Sequence, residues 1–416
     1  MNESPFLRDF ENNFDGIYFD NSATTQKLKS VVTAIVGYYS NGVAAYGRGE
    51  GPLNVRTREL FDNSKQTIAD FFGVKRRQVI ITKSATEASN LAFFNYRKIL
   101  KEEDKVWISA YEHNSVYFPA KRLQQEIGVE LERIAIAGDG RLNLEWVRQN
   151  ISDPKLRLVC AGSVSNVLGI ENDLDEFSRI LSDENRKRDM DNHIYSHVDN
   201  VGNMLGERMN FSQYDFGSMM VASHKMYGPS VGCLLVAEEL LDSGWFGPEI
   251  VGGGIAKWES FGFEDSIDFP LDDLITKDKE GQFMAGVPDT AGVIGMATAC
   301  EYLRENEEEH YRYLDDLCEY LIDKLRGLDQ IEILGGVERK RHNVVSFLTK
   351  DRDSARLEKI ARILSENGVD TRWGRHCADV LYEFLDVEYA LRLSLAAYNT
   401  RQEVDRVVEI IGAALA

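Results

Sequence analysis

Lys225 lies in the run Ala222-Ser223-His224-Lys225-Met226, which ends a hydrophobic stretch and leads into Tyr227-Gly228-Pro229. Upstream, Asp199 closes the strand-like segment His193-Ile194-Tyr195-Ser196-His197-Val198. A lysine and an aspartate at the ends of two strands can converge on one heteroaromatic cofactor. The lysine supplies an imine and the carboxylate pairs with a protonated ring nitrogen, as pyridoxal phosphate (PLP) requires. The plain alternative is a solvated lysine beside a structural Gly-Pro turn.

Other segments weigh against that alternative. Ser84-Ala85-Thr86-Glu87-Ala88-Ser89-Asn90 links a strand to a helix, where free amides and a hydroxyl make a phosphate cradle or an ordinary N-cap. Ser223 offers a further hydroxyl to the same phosphate. His113, in Tyr111-Glu112-His113-Asn114-Ser115, follows a strand and either lies flat on a pyridine ring and shuttles protons, or is structural. Asn166, in Val164-Ser165-Asn166-Val167-Leu168-Gly169, is placed to donate to a phenolic oxygen or to form a turn. Arg392 sits on the apolar strand Leu391-Arg392-Leu393-Ser394 and needs a partner, which is either a substrate α-carboxylate or a structural carboxylate.

The elements that must position these residues alternate in type. Residues 53–73, 86–100 and 116–127 have helical periodicity, the first ending on Gly73. Residues 78–82, 105–109, 156–161, 193–198, 218–222 and 232–237 read as strands. This pattern predicts an α/β fold with a largely parallel sheet covered on both faces, binding its ligand beyond the strands' carboxyl ends. From about residue 291 the pattern changes. One helical stretch to about 325 precedes strands at 331–334 and 344–348, a helix at 355–367 and a strand at 391–396. Thr400-Arg401-Gln402-Glu403 then reads as a capping box. The expected division is a large domain over 16–290 and a smaller α+β domain from 1–15 and 291–416.

Composition narrows the function classes. The net charge of −20 over 416 residues argues against generic nucleic-acid or anionic-membrane binding. No apolar run reaches the ~20 residues of a membrane span, and Met1-Asn2-Glu3-Ser4 opens no signal peptide. The five cysteines are scattered, without CxxC or metal-ligand spacing, so reduced thiols in the cytoplasm and no metal site are expected. Four lie in apolar patterns. Cys377 instead lies in the polar segment Arg372-Trp373-Gly374-Arg375-His376-Cys377.

Together these motifs resemble the class V aminotransferase superfamily of fold type I PLP enzymes, and most closely the group II cysteine desulfurases and selenocysteine lyases. The resemblance runs from Tyr18-Phe19-Asp20-Asn21-Ser22-Ala23-Thr24-Thr25 to Tyr398-Asn399-Thr400. It implies a large domain with a mostly parallel seven-stranded sheet. Lys225 would be the Schiff-base lysine, Asp199 the ring-nitrogen partner and His113 the stacking histidine. Asn166 would lie near the phenolic oxygen and substrate, with Ala85, Thr86, Ser223 and His224 at the phosphate. Arg392, with Arg372, would bind the substrate carboxylate, and Cys377 would take the sulfur as a persulfide. Independently of the resemblance, the neighbours Arg375 and His376 are expected to lower the Cys377 thiol pKa. The implied activity is removal of sulfur from L-cysteine or a related sulfur or selenium amino acid, giving alanine. The alternatives are a C–S lyase or transaminase of a biosynthetic pathway, or a scaffold protein with degraded catalysis. A homodimer and a sulfur-acceptor protein are implied as partners. The chain departs from the family pattern where Gly202 replaces a Gln, Val287 a Thr and Gly51 a His, and its acidic stretch at 261–280 is long.

Overall fold

The computed structural model describes residues 4–11, 14–47, 49–255, 280–336 and 341–416. Arg48 and all of the acidic stretch except Glu280 lie outside the described residues. After a short strand β1 (Ile17–Tyr18) come β2 (Val79–Thr82), β3 (Lys105–Ser109), β4 (Glu130–Ile134), β5 (Leu156–Gly162), β6 (Tyr195–Asp199), β7 (Ser218–Ala222) and β8 (Gly232–Val236). The last seven form one sheet in the order β2-β8-β7-β6-β5-β3-β4. Only β8 runs antiparallel to its neighbours. The expected mostly parallel seven-stranded sheet is therefore present.

Both faces of this sheet are covered. Met219 and Val221 join one core and Met220 and Ala222 the other, as the two-residue period of a strand dictates. The interior strand β5 is buried at every position. The order reverses beside β3, between β4 on one side and β5 on the other, which opens a crevice at the strands' carboxyl ends.

Local signals explain several boundaries. Helix Pro52–Phe72 starts with proline in its first turn and stops at Gly73, whose φ of 66° is left-handed. The expected single helix from 291 to 325 is two, Thr290–Glu305 and Glu307–Arg326. Asn306 interrupts it, its side-chain amide donating to the Tyr302 carbonyl (2.8 Å). Glu307, Glu308 and Glu309 then supply the acidic first turn that a new helix dipole favours.

A second, antiparallel sheet has the order β12-β13-β10-β9, built from β9 (Ile331–Ile333), β10 (Val344–Thr349), β12 (Arg372–Gly374) and β13 (Ala390–Ser394). β1 pairs in parallel with β11 (Val369–Asp370), tying the chain's first segment to its last third. Thr400 and Glu403 form the expected capping box of helix Arg401–Leu415. Among the described residues no helix is long and apolar enough to cross a membrane, and no group of three or more His, Cys, Asp or Glu is placed to hold a metal.

Candidate active site

Strand β7 ends at Ala222, and a 3-10 turn, Ser223–Lys225, presents Lys225 at the sheet's carboxyl edge. The N-terminal segment clamps this turn. The His224 carbonyl accepts from the Thr25 N–H (3.0 Å), the Thr24 and Thr25 hydroxyls (3.2 and 3.1 Å) and Lys27 Nζ (3.2 Å). Tyr227 follows at a φ of 69°, which costs a bulky residue about 1–2 kcal/mol. Its hydroxyl, 2.7 Å from His310 Nε2 and accepting the Ala397 N–H at 3.1 Å, fixes it there. Burial lowers the Lys225 pKa from 10.5 to about 8, Arg392 adding to the effect and Asp199 and Asp20 opposing it. A neutral, nucleophilic amine is thus accessible near physiological pH.

Asp199 ends β6, its Oδ1 accepting the Val201 N–H at 2.8 Å. Burial raises its pKa to about 6, with Val201 and Lys225 pulling it back. Facing it on β5 is Gly162, and over that glycine lies a second carboxyl, Glu112. Its Oε1 is 3.6 Å from where a Gly162 Cβ would stand and accepts the Ser109 hydroxyl at 2.6 Å. Glu112 is 1% exposed, and its Oε2 has no partner. Burial, then the charge of Asp199, push its pKa to about 8. The pair divides its charge: at neutral pH Glu112 is mostly protonated and Asp199 ionised.

His113 caps helix Asn114–Ile127, its Nδ1 accepting the Ser115 N–H at 3.0 Å. That bond assigns the proton to Nε2. Burial, with Lys225 and Arg392, lowers its pKa to about 4, so it is a neutral ring and not the near-neutral proton shuttle expected from its type. Asn166 sends its Nδ2 to the His376 carbonyl (2.9 Å), so its donor holds the cysteine segment and does not point at an open site.

At the helix Ala85–Tyr96 the cap is Ser84, which accepts the Glu87 N–H at 3.2 Å. Thr86 is left exposed in the first turn. Gly232 of β8 passes close by: a Cβ there would stand 2.5 Å from the Ala85 nitrogen. Ala222 pairs with Gly232, so Ser223 adjoins the same corner. Its hydroxyl is fully buried and unpartnered, a cost of ~1–3 kcal/mol that a phosphate oxygen beside a helix N-terminus would relieve. His224 is kept neutral, its pKa lowered to about 4 by burial and by Lys225 and Lys27. These donors fit the phosphate of PLP, and Lys225, Asp199 and His113 fit its ring.

Arg372 and Arg392 face each other across β12 and β13, and both hold Asp20. Arg392 Nη2 reaches Oδ1 at 3.1 Å, while Arg372 Nη2 and Nε reach Oδ2 at 2.8 and 3.0 Å. Arg392 Nη1 also donates to the Asn166 carbonyl (3.0 Å) and its Nε has no partner. Of the two partners weighed for Arg392, the structural carboxylate is present. Sequence reasoning missed Asp20. The signal was an aspartate directly after the apolar Phe19, two residues past β1.

The segment read as one polar loop begins as strand β12 and then turns. His376 and Cys377 have φ of 52° and 54°. Cys377 is the exposed cysteine, while Cys160, Cys233, Cys300 and Cys318 are buried and unpaired. The His376 ring is turned away, with Nδ1 2.5 Å from the Tyr382 hydroxyl and Nε2 3.3 Å from the Arg372 carbonyl. Burial, with Arg392, lowers its pKa to about 3, so it supplies no cationic charge to the thiol, contrary to expectation. Arg375 pairs with Asp379 at 3.3 Å.

A mostly parallel sheet with a lysine, an aspartate and a histidine gathered at its carboxyl edge defines a fold type I enzyme. The family model described as Aminotransferase class-V matches residues 17–407, and the chain belongs to that family. One relative, a cysteine desulfurase of Haloferax volcanii, is 31% identical over 403 residues, which cover 96% of this chain and 89% of that one. Another, a cysteine desulfurase of Escherichia coli O8, is 28% identical over 395 residues, covering 94% and 91%. Among solved structures, the apo cysteine desulfurase from Thermococcus onnurineus NA1 matches with a TM-score of 0.85 at 27% identity, covering 99% of this chain and 96% of that one.

Proposed function

We propose that this chain is a PLP-dependent cysteine desulfurase that moves the sulfur of L-cysteine onto Cys377 and releases alanine. The observation that carries this reading is the meeting of two halves. His113, Asn166, Asp199 and Lys225 stand at the ends of adjacent strands, and Asn166 binds directly to the turn bearing Cys377.

When bound, PLP supplies an electron sink that labilises bonds at the substrate's Cα and Cβ. Asp199 would place its negative charge at the ring nitrogen, and neutral His113 would cover the ring. Ser223, Thr86 and the first amides of helix Ala85–Tyr96 would hold the phosphate. Arg392, with its free Nε, binds the substrate carboxylate alongside Asp20, and Arg372 steadies Asp20. Lys225 Nζ accepts the Cα proton. The Cys377 thiolate forms an S–S bond to the substrate sulfur as the Cβ–S bond breaks, and Cβ gains a proton to become the methyl of alanine.

The test is product analysis of purified enzyme given L-cysteine. Alanine with a persulfide on Cys377, abolished in Cys377→Ala, supports the reading. Pyruvate and ammonia, formed equally by Cys377→Ala, would identify β-elimination instead.

A homodimer completes the proposal. Helix Lys29–Ser40 exposes Val32, Val36 and Tyr39 at 37%, 55% and 60%, an i, i+4, i+7 apolar stripe that a monomer would leave in water. The exposed Cys377 turn is where a sulfur-acceptor protein would collect its cargo. The buried, unpaired thiols suit the reducing cytoplasm.

A further inference from the structure

Besides the Asn166 amide on the His376 carbonyl, the turn that carries Cys377 is gripped by residues that are not themselves placed at the cofactor or substrate. The Cys377 carbonyl accepts the Asn114 N–H at 2.7 Å. Asn114 extends its side-chain Nδ2 to Asp379 Oδ2 at 2.8 Å, and Asp379 Oδ1 pairs with Arg375 Nη1 at 3.3 Å. Asp379 therefore joins the residue two before the cysteine to a residue on a different strand's exit. Because Asn114 directly follows His113, the ring of contacts also fixes the thiol turn relative to that imidazole. A turn with two successive left-handed residues, neither of them glycine, has no intrinsic preference for this shape. It stays in place because partners on both sides hold its carbonyls.

We propose that Asp379 is a positioning residue for sulfur transfer, anchoring Asn114 and Arg375 together so that the Cys377 sulfur stands over the cofactor site. This inference rests on the reading of Cys377 as the sulfur acceptor. It predicts that Asp379 acts on the second half of the reaction only. No hydrogen bond or ion pair joins it to Lys225, Asp199 or Arg392, so substrate capture and Cα proton removal proceed normally. The S–S bond-forming step, which needs near-attack alignment of two sulfurs, slows.

The experiment compares holoenzyme of wild type, Asp379→Ala, Asp379→Asn and Asn114→Ala. Asp379→Ala should lower kcat about tenfold or more, since a misplacement of about 1 Å can cost two orders of magnitude. The cysteine-induced change in the visible spectrum and KM should stay within about twofold. The iodoacetamide alkylation profile of Cys377 over time at fixed pH, followed by mass spectrometry, should be faster in Asp379→Ala and Asn114→Ala alike, since a released turn exposes the thiol more often. Asp379→Asn keeps an acceptor for Asn114 but loses the ion pair to Arg375, and should recover only part of the loss. Urea unfolding of each variant separates loss of fold from loss of positioning. If Asp379→Ala leaves both kcat and the alkylation profile unchanged, the proposal is wrong. Retained alanine formation by Cys377→Ala would instead sink the functional reading, while the alkylation profile still reports whether Asp379 holds the turn.

Discussion

Glu112 lies over Gly162, the β5 neighbour of Asp199, and both carboxyls are buried, so ionising both would leave two negative charges in a dry pocket. The folded protein keeps Glu112 protonated up to about pH 8, whereas in the unfolded chain it ionises near 4.5. A carboxyl whose folded pKa is raised stabilises the fold only while it is protonated, so this contribution is lost as pH rises from about 4.5 to about 8. Glu112→Gln cannot ionise. The stability of the Glu112→Gln apoprotein relative to wild type should therefore climb over that window by on the order of 4 kcal/mol, read by urea denaturation at several pH values. Parallel curves for the two proteins would show that Glu112 titrates as an ordinary surface carboxyl. Lys225 has the opposite sense, since its lowered pKa makes the reactive neutral amine more abundant above about pH 8. The rate at which apoprotein takes up PLP should rise through that pH. In Arg392→Met, which removes one of the charges lowering the pKa, the midpoint should move upward.

At the scale of elements, close backbone approach decides what the loops can carry. A Cβ on Gly202 would stand 2.3 Å from the Val164 carbonyl oxygen. The turn after β6 lies directly on the loop after β5, so the family's Gln has no room at this position. Gly202→Ala should destabilise the protein by about 1–3 kcal/mol, seen as a lower urea midpoint at unchanged slope, and a wild-type midpoint would refute the contact. Such approaches explain what the sequence hid. Strands β3 and β7 were legible to the residue, because buried apolar runs need no partner to be recognised. The edge strand β4, Glu-Leu-Glu-Arg-Ile, was not, since its solvent-exposed side carries charge and erases the apolar signal. In the site, Lys225, Asp199, His113 and Cys377 could be read from type and position in a motif. Asp20, Tyr227 and Asp379 could not. Their roles come chiefly from partners more than 80 residues away or from a backbone angle, neither of which has a local pattern, and the i,i+4 pair of Asp379 with Arg375 gives no sign of Asn114.

On the whole-molecule scale, the exposed apolar residues are unevenly distributed. Val32, Val36 and Tyr39 line one side of helix Lys29–Ser40, Val43 and Leu53 follow within the next segments, and Val287 is 72% exposed. The opposite side of that helix is occupied, with Val31 and Tyr38 buried against helix Thr290–Glu305 and its neighbours. Among the described residues the outward stripe is not covered by the chain's own core. With a net charge of −20, two copies repel at long range, so association must come from short-range burial of these side chains, which added salt strengthens by screening. Light scattering should give a dimer mass at micromolar concentration. Val36→Glu combined with Tyr39→Glu should shift it to monomer, with the Lys225-dependent visible band testing whether the cofactor site survives separation. A wild-type protein that stays monomeric in both low and high salt would overturn the dimer. A double variant that stays dimeric would place the interface on another face.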